Sequence, residues 1–185
     1  VPVKSDCKTM VLSGWKGERV SAQFLLYTGP GAEGVRCTVN DFRSESSSMP
    51  SEIAQARFVR YTLADVGGPD CRCERGPLHA HQLVPDMIDS LKVFNMDSRT
   101  VRPVWMTINI PEDAEPGVYE TEVVVKAKGA AKITMPVQLE VIDQVLPDYT
   151  EWVFHLDLWQ HPSAVARALN LDMWSDEHFE ALRQH

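Results

Sequence analysis

Apolar and polar residues alternate with a period of two through most of the first 143 positions, and that spacing puts every second side chain on one face of an extended strand. In the stretch 18–28, Val20, Ala22, Phe24 and Leu26 share a face. Beyond the turn GPGAEG, Val35, Cys37 and Val39 repeat the pattern, and in RFVRYTL the residues Val59, Tyr61 and Leu63 follow it. Three rows between 101 and 143 are the most regular: Val104 to Ile110, Tyr119 to Val125 and Ile133 to Val141, each counted in twos. GAAK at 129–132 separates the last two rows as a hairpin connection, with Gly129 free to take a positive φ.

Strands with one apolar face, joined by short turns and without helices between them, require a second apolar face to cover them. The expected fold is all-β, a two-sheet antiparallel β-sandwich spanning residues 1–146. Pro111 and Pro116 interrupt pairing on either side of a turn, and Tyr119 is placed as a tyrosine corner, its hydroxyl tying down a crossover between the sheets. The segment 67–91 has weak periodicity and much turn chemistry, so it is expected to be a long loop closed by a helical turn in VPDMIDSL. SESSSMP, at 44–50, is expected to be a short flexible connection.

The character changes after Asp143. Residues 147–185 begin with a proline-containing linker and continue into VFHLDLWQHP, where Val153 to Trp159 reads as a strand apolar nearly throughout, as one buried in a parallel sheet would be. Pro162 suits the first turn of a helix with Val165, Ala166 and Leu169 as its stripe, and Ser175 would cap a second helix. A strand followed by helices is how an α/β fold opens.

A formal charge of −8 over 185 residues leaves no basic patch for a nucleic-acid backbone or an anionic membrane surface; a neutral or cationic partner fits better. No apolar run reaches the ~20 residues of a membrane span, and no export leader stands at the N-terminus. Four cysteines, Cys7, Cys37, Cys71 and Cys73, allow three pairings, among which spacing does not choose. Their even number leans toward an exported protein, whereas Cys37, on the apolar face of its strand, suits a buried free thiol.

Cys71, Cys73, His79 and His81 offer thiolate and imidazole ligands suited to zinc, but C-x-C and H-x-H depart from the C-x2-C spacing of ordinary zinc sites. A disulfide or solvated loop histidines explain the same residues. Trp15 and Trp105 are candidate stacking platforms for sugar rings, with core packing as the alternative. Asp157, Trp159, Gln160 and His161 gather at the C-terminal end of the expected strand, the position at which α/β folds build ligand sites. No nucleophile elbow, phosphate loop or H-E-x-x-H occurs, and no cofactor is expected. Asp176 and Glu177, following Ser175, suit the first turn of a helix, where carboxylates complement its dipole.

Three segments together resemble a known family: WKGERVSAQFLL, RPVWMTINIPEDAEPGVYETEVVV and LPDYTEWVFHLDLWQHPSAVARALNLDMWSDEHF. The chain is similar to the N-terminal part of glycoside hydrolase family 123 and its uncharacterised relatives. That resemblance implies an N-terminal sandwich joined to a (β/α)8 barrel that removes terminal β-linked N-acetylgalactosamine. It also implies a substrate-assisted mechanism in which an Asp in the barrel orients the 2-acetamido group and an adjacent Glu is the general acid and base. Asp176 and Glu177 match those residues in letters only, because they sit on a helix, and they do not inherit the roles.

On this reading the chain is a non-catalytic sandwich domain followed by the first strand and helices of a truncated barrel, from a secreted, periplasmic or cell-surface bacterial glycosidase. Its expected partner is the catalytic barrel of the same polypeptide, with Trp159, Gln160 and His161 at the substrate pocket rim of the full enzyme. Glycans are a second candidate partner, for a carbohydrate-binding module, and a pure interaction module is a third alternative. The apolar residues Phe154, Leu156, Leu158 and Trp159 are expected to pack on the sandwich, pair with a second copy as a homodimer or stay disordered.

Overall fold

The computed structural model describes residues 9–65, 81–155, 157 and 159–183, and the chain divides into two compact units, Val1–Leu146 and Pro147–His185. Among the described residues the first unit holds eleven strands in two sheets. The larger sheet contains β1 (Met10–Lys16), β11 (Ile133–Val145), β10 (Gly117–Lys126), β3 (Ala32–Val39) and β8 (Phe94–Met96), in that order. The short hairpin of β4 (Phe42–Arg43) and β5 (Ser48–Met49) joins it through β10. The smaller sheet runs β2 (Arg19–Thr28), β9 (Thr100–Asn109), β6 (Ala54–Asp65), β7 (His81–Ile88). This is the expected all-β sandwich.

The three regular rows line its core. Val104, Met106 and Ile108 have no exposed surface; Tyr119 and Val123 face them from β10, and Val137, Leu139 and Val141 from β11. Opposite them, the polar half of each alternation turns outward. Tyr119 is the expected corner: its hydroxyl donates to the carbonyl of Glu115 at 2.8 Å, joining the 111–116 turn to the start of β10. The 129–132 turn lies where the sequence puts it, with Gly129 at φ +70 and Val125 opposite Ile133.

Four local readings are corrected. The strands are not all antiparallel: β1 runs parallel to β11, with Leu12 beside Leu139. After β1 the chain crosses at once to the other sheet as β2, so β1 extends the far edge of its own sheet instead of forming a hairpin. The face of β6 is also shifted. Ala54, Ala56 and Phe58 pair with Ile108, Met106 and Val104 and point inward, and of the expected row Val59 is buried whereas Leu63 is 71% exposed. Beyond Phe58 the strand pairs with β7, and the register slips between Arg60 and Tyr61.

Residues 81–88, read as loop and helical turn, form the edge strand β7 instead. Pro85 is accommodated there because an edge strand has one side free of partners. The connection 44–50 is an ordered hairpin, because Phe42 and Met49 at its two ends are buried in the core, at 0% and 4% exposure.

In the second unit, α1 (Pro162–Leu169) starts with Pro162 in its first turn, and α2 (Asp176–Arg183) carries Asp176 and Glu177 in its own. Ser175 Oγ accepts the His178 N–H at 3.2 Å, as its capping position requires. Val153 to Trp159 does not form a strand among the described residues. An extended segment becomes a strand only when a neighbour completes its backbone hydrogen bonds. Here Val153 and Trp159 are fully or nearly fully exposed, and Phe154 stacks on Trp152 with ring centroids 5.1 Å apart.

Candidate functional site

The outer face of the larger sheet is concave where β4 and β5 stand beside β10. The alternation that buries Tyr119, Thr121 and Val123 necessarily turns Val118, Glu120 and Glu122 outward. Register then aligns side chains from four strands into one transverse row: Val11 opposite Gln138, Gln138 opposite Glu120, and Glu120 opposite Arg43. At the usual strand spacing such a row is about 14 Å long.

A wall along this row is made by residues 40–51. The chain bends there because Asn40 is held on β10 from both sides: its N–H donates to the Glu122 carbonyl at 3.0 Å, and its carbonyl accepts from Thr121 Oγ1 at 2.8 Å. Asp41 Oδ1 accepts the Ser51 N–H at 3.0 Å, and Ser44 Oγ accepts the Ser47 N–H at 2.9 Å, closing the hairpin on itself. With Phe42 and Met49 anchored beneath, the wall is fixed without a ligand. The groove so formed has a volume of 1480 Å³. Among the described residues, Asp41, Glu45, Glu120 and Glu122 line it with Arg43 as the one basic residue, and none of the lining residues is aromatic.

The residues singled out in the sequence lie elsewhere. Trp159, Gln160 and His161 follow one another on the exposed segment before α1, and His161 is the residue at the helix N-terminus, its carbonyl accepting from Ala164 at 2.9 Å. Asp157, two residues earlier, meets His155 Nε2 at 2.9 Å, an exposed pair. None of them lines the nearby pocket formed by Ser163, Arg167, Asn170 and Met173. Trp15 is 38% exposed on β1, and Trp105 is half-buried on β9 between Gln23 and Arg57. The two indoles belong to different sheets and make no common platform. Cys7, Cys71, Cys73 and His79 lie outside the described residues, as does the side chain of His81, the residue that opens β7.

Sequence reasoning missed the groove. Half of it was within reach, since a hairpin that pairs Val125 with Ile133 must also pair Glu120 with Gln138. Arg43 joins the row through a contact remote in sequence, and no local pattern signals it.

Comparison with known proteins places this sandwich. Residues 1–127 match the glycoside hydrolase 123 N-terminal domain. The chain belongs to that family. Among solved structures, it is similar to a family 123 glycoside hydrolase from Clostridium perfringens, whose structural study concerns glycolipid glycan hydrolysis. The two share 25% sequence identity and a TM-score of 0.84; the match covers 95% of this chain and 30% of that one. This glycoside hydrolase 123 N-terminal domain therefore spans under a third of that enzyme's length, and the match extends beyond what its first unit alone can supply. The periplasmic chaperone SfaE is a much looser likeness, with 7% identity and a TM-score of 0.39 over 75% of this chain and 57% of that one. No curated protein matches the sequence.

Proposed function

We propose that this chain is the non-catalytic part of a glycoside hydrolase that acts on β-linked N-acetylgalactosamine, and that its sandwich supports a catalytic barrel. The supporting observation is the asymmetry of the structural match: nearly all of this chain corresponds to a minor part of a family 123 enzyme.

The second unit is the opening of that barrel. Val153, Phe154, Trp159, Trp174 and Phe179 are all exposed in this unit of 39 residues, and covering them is the work of the remaining barrel elements. Trp159, Gln160 and His161 then border the substrate pocket.

The test is hydrolysis of an aryl β-N-acetylgalactosaminide by the purified 185-residue chain. No release of the aryl group is expected at any pH between acid and neutral. Turnover that survives repurification and follows the protein peak overturns the supporting role.

A further inference from the structure

The groove over β10 and β11 has a built geometry that support of a barrel does not explain. Its wall is held by four hydrogen bonds and two core anchors, yet it presents only polar tips and aliphatic patches to the space it encloses. We propose that it is a secondary saccharide-binding site, taking a short neutral glycan laid across the strands along the row Val11, Gln138, Glu120, Arg43.

The side-chain chemistry selects this ligand. A carboxylate accepts hydrogen bonds from two vicinal hydroxyls at once, a carboxamide both donates and accepts, and a guanidinium donates in a fixed planar fork. Glu120, Gln138 and Arg43 set these three groups side by side at the pitch of adjacent strands, close to the repeat of pyranose rings in a chain. Val11 and Val118, 67% and 48% exposed, give aliphatic surface for the C–H faces of the rings. Among the described lining residues, Glu45, Asp41, Glu120 and Glu122 against a single arginine repel sulfated or sialylated glycans, so the ligand carries no negative charge. Without an aromatic platform the binding is weak, in the millimolar range, which suits a site that keeps a domain near glycan-rich material.

This site depends on membership of a glycan-acting family and not on the supporting role. Hydrolysis by the chain would overturn that role and leave the groove untouched, and the binding test involves no turnover.

The ¹⁵N-labelled 185-residue chain is titrated with tri-N-acetylchitotriose as a neutral probe, its deacetylated cationic counterpart, and sialyllactose as an anion. The neutral probe is expected to shift the amides of Arg43, Glu120 and Gln138, and sialyllactose to leave them unmoved. Glu120→Ala and Gln138→Ala change side chains outside the core, so the melting temperature should hold while affinity for the neutral probe drops about tenfold. The proposal is overturned if the neutral probe moves nothing, if it moves only residues around Trp15 or Trp105, or if both variants bind undiminished. It is equally overturned if only the deacetylated probe binds, which makes the groove a cation site.

Discussion

Arg60 donates to a single oxygen of Asp89 from both Nε and Nη2, at 2.9 and 2.8 Å, while the other oxygen of that carboxylate accepts the backbone N–H of Leu91 at 3.0 Å. Asp89 is 4% exposed and its own N–H donates to the Phe58 carbonyl at 2.8 Å, so this one residue pins the end of the edge strand β7 to β6. An edge strand with little apolar burial of its own depends on such a fastening. Leu83 and Met87, at 66% and 52% exposure, contribute little packing.

The Leu91 N–H, and then Arg60, hold the Asp89 carboxyl below the usual carboxylate range, against the opposing effect of burial. A folded-state value below the unfolded one means that the unfolded chain takes up the proton first as acid is added. The stabilisation is therefore complete above the ordinary aspartate value, near pH 4, and disappears as pH falls through the lower folded value. Asp89→Asn should reduce the melting temperature at neutral pH and flatten its decline in acid. Parallel melting curves for the two proteins down to the acid limb would contradict this.

Cys37 gives a second pH-linked expectation. It is a free thiol, half-buried against the core opposite Val125, and burial pushes its thiol up to about 12. Thiolate is the reactive species, so a neutral solution holds almost none of it at this site. A chromogenic disulfide reagent at pH 8 should react with Cys37 only on the timescale of unfolding, and at once in denaturant. Mass mapping of the labelled peptide separates it from the other three cysteines. Rapid labelling of Cys37 in the folded protein would show that its β3 face opens readily.

The legible parts of this fold are those whose side chains alternate between a core and a solvent face. Strands β9, β10 and β11, their turns and the corner at Tyr119 follow from such alternation, because each inward row packs into the core, with only Ile133 and Met135 of β11 partly buried. Strand β7 escaped because most of its described side chains, Leu83, Met87 and Ile88 among them, are exposed, so its sequence carries no burial signal around Pro85. The β4–β5 hairpin escaped for the opposite reason. Its order comes from Phe42 and Met49 reaching a core assembled by distant strands, and a polar serine run hides that dependence. The described residues of Val153 to Trp159 form no strand, since apolar content alone does not make one without a partner to complete its hydrogen bonds. The same limit applies to the groove: Glu120 beside Gln138 is a hairpin consequence, whereas Arg43 and the wall require the assembled sheet.

His178 should decide the stability of the second unit. Its side chain is completely buried, with Nδ1 accepting the Trp174 N–H at 2.9 Å and Nε2 meeting the Pro162 carbonyl at 2.9 Å. An acceptor at Nδ1 and a carbonyl at Nε2 together fix the neutral Nε2–H tautomer, which is checked directly by ¹⁵N shifts of the ring. The contact joins α2 to the first turn of α1, and the Trp174 backbone it holds has the unfavourable φ of +67. A unit of 39 residues buries little apolar surface, so two interior hydrogen bonds weigh heavily in it. His178→Phe keeps the ring volume but strands both backbone groups, at about 1–3 kcal/mol for each unsatisfied group. Amides of 162–183 should lose hydrogen-exchange protection in this variant while those of β10 and β11 keep theirs. Retained protection throughout would mean that α1 and α2 are held by packing alone; loss in both units would mean that the variant acts beyond its own unit.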